Sequence, residues 1–110
     1  DSLDFTKAFE LLTGNIPRGI YRVTLSGTIS RIRATNYEFQ LVADNVAVSR
    51  SFGRINTPTN NERPITRTEE VRFDAGEHVI AYEHRHLDNV TFLSSIRIKA
   101  GSSIEIFRIK

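Results

Sequence analysis

Within residues 20–33, positions 21–30 alternate between apolar and polar side chains. Tyr21, Val23, Leu25, Gly27 and Ile29 fall on one parity, and Arg22, Thr24, Ser26, Thr28 and Ser30 on the other. Period-two alternation puts one set on each face of a pleated strand, so the stretch predicts a half-buried antiparallel β-strand. A strand this polar on one side cannot stand alone. It needs neighbours to pair its backbone and a second layer to cover its apolar face. Gly27 inside the run marks a bulge or the close approach of another backbone.

The rest of the chain supplies those neighbours. Tyr37, Phe39 and Leu41 alternate over 37–43, Asp44 and Asn45 form a two-residue turn, and Val46, Val48 and Phe52 share a face over 46–52, which reads as a hairpin. Further strands are expected over 65–73, 77–85, 90–99 and 103–110, with turns at 74–76 and 100–102. Residues 53–64 are the longest polar stretch and predict a surface loop, a length that usually accompanies a function. Residues 2–14 stay open between two readings. Phe5, Ala8, Phe9 and Leu12 sit at helical spacing with Gly14 as a terminator, yet Leu3 and Phe5 also alternate with polar neighbours. Seven or eight short strands at such intervals indicate an all-β antiparallel sandwich of jelly-roll type.

The last strand is apolar on both parities, with Ile104 and Ile106 on one and Phe107 and Ile109 on the other. Either a bulge shifts the parity or both faces are covered, the second by another subunit. A length of 110 residues fits one domain, with 1–18 as a lead-in connection and 19–110 as the sandwich. The chain has no cysteine, which fits folding in a reducing compartment or stabilisation by oligomerisation. No apolar run approaches the roughly 18 residues that span a bilayer, so no membrane insertion is expected. The net charge is +2, carried mostly by arginine, a side chain suited to carboxylate or phosphate and to ring faces.

The segments GIYRVTLSGTI, YEFQLVADNVAV, AGEHVIAYE and AGSSIEIFRI resemble the jelly-roll modules of the tumour necrosis factor and complement globular-head superfamily. They are more similar still to the viral members, the head or knob domains that tip trimeric phage tail fibres, tail needles and adenovirus-type fibres. The chain departs from that pattern in its short length and in lacking an aromatic-rich final strand. The resemblance covers residues 19–110. It implies a homotrimer on a fibrous shaft, displayed on the virion surface, with Ile104, Ile106, Phe107 and Ile109 at the subunit interface.

No catalytic constellation is present. There is no cysteine and no Gly-x-Ser-x-Gly elbow, and the acidic neighbours Glu69 and Glu70, or Glu83 and Asp88, read as salt-bridge partners of arginines. No enzyme activity and no cofactor are expected. His84 and His86 share a parity with His78. A structural zinc site takes four ligands, so this pattern does not define a metal site. It does offer a charge change between about pH 5 and 8. Arg22, Arg31, Arg33, Arg50 and Arg54 with Tyr37 and Phe39 could form a basic surface with stacking rings, but the two rings lie on the apolar parity, so nucleic acid is not the expected partner. Receptor contacts are expected from two loops: Arg54, Asn56, Asn60, Asn61 and Arg63 in one, and His86, Asp88 and Asn89 in the other. The expected function is attachment of a viral or phage fibre tip to a host-surface glycan or protein. A cytokine-like or complement-like signalling head and a β-type nucleic-acid-binding module are the alternatives.

Overall fold

The computed structural model describes residues 5–30, 35–55, 62–86, 97–98 and 101–110. The chain is an all-β antiparallel sandwich, with no helix among the described residues. Its strands are β1 (Thr6–Ile16), β2 (Gly19–Ser30), β3 (Thr35–Ala43), β4 (Val46–Ile55), β5 (Glu62–Phe73), β6 (Gly76–His86), β7 (Arg97–Ile98) and β8 (Ser103–Arg108). One sheet runs β1-β6-β3-β4. The other has β2 at its centre, with β5 on one side and β7 and β8 in line on the other. Twelve-residue strands at about 3.3 Å per residue reach ~40 Å, which accounts for a long axis of 46 Å against 24 and 20 Å.

The alternation in β2 is realised as expected. Tyr21, Val23, Leu25 and Ile29 are buried, and Arg22 and Ser26 are exposed. β5 pairs with β2 in an unbroken register from Gly19↔Phe73 to Ser30↔Glu62. Pro64 is tolerated there because β5 is an edge strand and needs no outward N–H. From the facing sheet, Tyr37, Phe39, Leu41, Ile80 and Tyr82 complete the core. Tyr21 meets Phe73 edge-on with centroids 5.8 Å apart, and Phe39 lies 5.8 Å from Tyr82. Burial of Leu25, Ile29, Leu41 and Ile80, each fully enclosed, contributes about 1.5–3 kcal/mol per side chain.

Several expectations change in detail. Residues 6–16, open between helix and strand, form an edge strand whose Leu11 pairs with Ile80. The polar loop is shorter than 53–64, because β4 continues to Ile55 and β5 begins at Glu62. Backbone pairing to β3 and β2 holds these extra residues despite their polarity. Val46, Val48 and Phe52 do not keep one parity, since a bulge between Leu41↔Ser49 and Val42↔Ala47 inserts Val48 as an extra residue. The Asp44–Asn45 turn is present, with φ of 49° and 68°, the left-handed pair that a tight hairpin requires. The strand expected over 90–99 lies mostly outside the described residues, and its described part is β7.

The last strand is an edge, paired with β2 from Tyr21↔Arg108 to Ser26↔Ser103. Ile104 is buried and Ile106 packs against the core, while Phe107 points outward with 66% of its surface exposed. β1 and β8, one edge from each sheet, lie side by side and form one seam of the sandwich. At the opposite seam β4 meets β5, where Arg67 Nε donates to Ser49 Oγ at 2.6 Å and pairs with Glu69 at 3.0 Å.

Candidate binding surfaces

The topology divides the sandwich into two ends. At one, tight connections join β1 to β2 through Pro17 and Arg18, β3 to β4 through Asp44 and Asn45, and β5 to β6 through Asp74 and Ala75. The opposite end gathers the strand ends at Ser30, Thr35, Ile55, Glu62 and His86. Three expected receptor residues are placed there by strand position: Arg54 opposite Asn36, Arg63 opposite Ile29, and His86 opposite Tyr37. Asn56, Asn60, Asn61, Asp88 and Asn89 lie outside the described residues.

The outward face of the β2 sheet carries the first surface. Phe107 lies across from Arg22, with Ile20 and Ile109, both half-buried, one step nearer the turn end. Arg72 lies across from Ile20 on β5, and Glu70 across from Arg22. Arg18, Arg108 and Lys110 border the same end, where Arg108 Nη2 donates to the Arg18 carbonyl at 2.8 Å. Among the described residues, Arg18, Arg22, Arg72 and Lys110 form no salt bridge. The surface is therefore an apolar centre whose rim is cationic toward the turn end and carries Glu70 and Glu105 on the other side.

On the outward face of the other sheet, Leu12 and Val79 are cross-strand partners, 66% and 37% exposed. With Gly14, Glu77 and His78 they line a groove of about 490 Å³. A bulge makes this groove. The register skips between Leu12↔Val79 and Asn15↔Glu77, so Thr13 and Gly14 together face His78, with Gly14 in the left-handed conformation at φ 69°. Glu77 at its rim forms no salt bridge among the described residues.

His78 ties the turns beside this groove together. Its Nδ1 donates to Asp44 Oδ2 at 2.6 Å and its Nε2 to the Asp74 carbonyl at 2.7 Å. Both nitrogens can donate at once only in the imidazolium. The ring also lies against Phe73, centroids 4.5 Å apart. Its amide donates to Thr13 Oγ1 at 3.0 Å. Asp44 Oδ1 accepts from the Val79 amide at 2.9 Å. The Asp44 carboxylate bond, followed by the bond to the Asp74 carbonyl, raises the His78 pKa above its ordinary value. The Val79 amide, then His78, lowers that of Asp44.

A second polar assembly covers the outward face of β3. Glu38 and Gln40 are buried although they point away from the core. Arg85 grips Glu38 at 2.6 Å, Gln40 donates to Glu83 at 2.7 Å and accepts from Arg50 at 2.9 Å. The Phe5 ring lies over Arg85 at 4.5 Å and near Arg50 at 5.6 Å.

These placements bear on the other sequence readings. Tyr37 and Phe39 are core rings, and Arg22 and Arg50 lie on different sheets, so the described residues do not bring these rings and arginines to one surface; Arg31 and Arg33 lie outside the described residues. Glu69 and Glu70 point to opposite faces of β5, and Glu83 is bonded to Gln40. His78 and His84 are six residues apart along β6, about 20 Å at strand rise, and His84 is buried beside Tyr82. No group of three or more metal-ligating side chains occurs among the described residues. The Leu12–Val79 groove and the Asp44–His78 pair were not legible in advance, because both depend on the β1–β6 and β3–β6 registers. Compared with known protein families and with curated proteins, the chain matches no family model and no curated sequence.

Proposed function

We propose that the chain is a homotrimeric attachment head of the kind that tips a viral or phage fibre and engages a glycan or protein on the host surface. The observation that carries this reading is Phe107. It stands 66% exposed on an edge strand, beside Ile20 and Ile109, with no described residue covering it. Apolar surface left open at a sheet edge favours association with another chain. Three copies then present their sites together, and avidity raises weak single-site binding without new contacts. Of the four side chains expected at the subunit interface, Ile104 and Ile106 serve the chain's own core, and Phe107 and Ile109 are the two that reach outward.

Receptor contacts fall to the strand ends that carry Arg54, Arg63 and His86, with the segments that join them. The test has two parts. Light scattering after gel filtration at micromolar concentration should give a mass of three chains; a strict monomer overturns the head. Soluble protein should also block adsorption of the cognate particle to its host. Arg54→Ala with Arg63→Ala should weaken that block by about tenfold or more, and unchanged blocking removes that end from the receptor site.

A further inference from the structure

We propose that the copies associate head to tail, with Phe107 of one copy seated in the Leu12–Val79 groove of the next. The inference rests on the trimeric reading above and names its interface. Three observations point to a second copy as the occupant of the groove. First, the surfaces are complementary in shape: one is a single protruding ring between half-buried isoleucines, the other a bulge-made recess of about 490 Å³ with an apolar floor. Second, they are complementary in charge. Arg22 lies across from the ring, with Arg72 and Glu70 one strand further out, and Glu77 lines the recess. Arg22, Arg72 and Glu77 are without salt-bridge partners among the described residues.

Third, the two surfaces flank one seam. Leu12 belongs to β1 and Phe107 to β8, and these two edges run side by side. An interface between different patches is heterologous, and it closes only if the rotation between copies returns to the start. Patches on either side of a single seam permit such closure, with the seam turned toward the axis. The same arrangement covers both open edge strands, which removes their unpaired backbone from solvent.

The chain contains no cysteine, so a chemical test is clean. Arg22→Cys and Glu77→Cys, which leave the ring and the groove floor intact, are made as separate single variants, mixed at equal amounts and oxidised mildly. The seating predicts that the mixed disulfide between positions 22 and 77 forms in preference to either self-pair. In parallel, light scattering reads the association constant of charge reversals. Glu77→Arg and Arg22→Glu should each weaken association at least about tenfold, and the mixture of the two variants should recover most of the loss, because close interfacial charges couple strongly. Phe107→Ser should give folded monomers with the parent's β-sheet circular dichroism, since the ring is exposed in the single chain, and a lower melting temperature than the associated parent.

A mass of three chains with no mixed disulfide, or charge reversals that do not rescue one another, overturns this seating and leaves the trimeric head standing. A strict monomer at every concentration overturns both.

Discussion

Gly27 occupies a position where a side chain would collide with Ser102. A Cβ placed there falls well inside van der Waals contact with the Ser102 hydroxyl and side chain, and Ser102 Oγ is already accepting the Thr28 amide at 3.2 Å. Ser102 sits in the gap where β8 gives way to β7 along the edge of β2, so it cannot retreat without breaking that pairing. Gly27→Ala should therefore destabilise the chain by about 1–3 kcal/mol, the usual cost of forced overpacking, read as a lower urea midpoint. Glu38 is the second informative residue. It is 2% exposed on an outward face, and its carboxylate is held by Arg85, whose side chain stays 31% open to water. A fully buried pair loses about 3–5 kcal/mol when one partner is removed. Water around Arg85 discounts this, so Glu38→Ala should cost about 2 kcal/mol. A thermal melt of the variant against the parent measures it.

The turn that joins β3 to β4 is fastened by protonation. Asp44 bonds the Val79 amide and the His78 ring, and His78 reaches on to the Asp74 carbonyl. The His78 pKa is raised from 6.5, so its contribution is complete below that value and is lost as pH rises through the raised one. The Asp44 pKa is lowered from 3.8, so its contribution is complete above that value and is lost as pH falls through the lowered one. Stability from this pair is thus greatest between about pH 4 and 6.5. Thermal melts from pH 4 to 9 should show a decline on the alkaline side that is absent in His78→Gln.

This latch also shows what a sequence can and cannot disclose. The Asp44–Asn45 turn and the alternation of Tyr37, Phe39 and Leu41 were legible because both are local: positive φ suits Asx residues, and parity needs no partner. The Asp44–His78 bond was not, because it joins residues 34 positions apart in sequence through a β3–β6 register that no local pattern sets. The Val48 bulge escaped for a related reason, since a single inserted residue reverses parity without changing composition. Phe5, Ala8, Phe9 and Leu12 at helical spacing gave an ambiguous signal in a segment that bulges twice against β6.

For the whole molecule, most pairing is remote in sequence. Leu11 pairs with Ile80 and Leu25 with Ile104, while β3–β4 is the one hairpin closed by a two-residue turn among the described strands. Loop-closure entropy must be met before such contacts stabilise anything, so refolding should take milliseconds to seconds, not microseconds. Stopped-flow tyrosine fluorescence would show it, since the chain has three tyrosines and no tryptophan. Microsecond refolding would mean that the hairpin alone organises the fold.

The backbone at Lys110 is fixed, with its carbonyl accepting the Ile20 amide at 3.0 Å and closing against Gly19. Lys110 therefore leaves the sandwich at the tight-turn end, away from Arg54, Arg63 and His86. On a sensor chip or a nanoparticle, a linker attached after Lys110 would turn those residues toward the solution. A linker attached ahead of Thr6, which pairs with His84, would hold them on the support side, as a shaft reached through residues 1–18 would, so the comparison also tests whether that end can meet a receptor. The two immobilisation chemistries would report different apparent affinities for the same ligand, and the difference would map the receptor end without a single substitution.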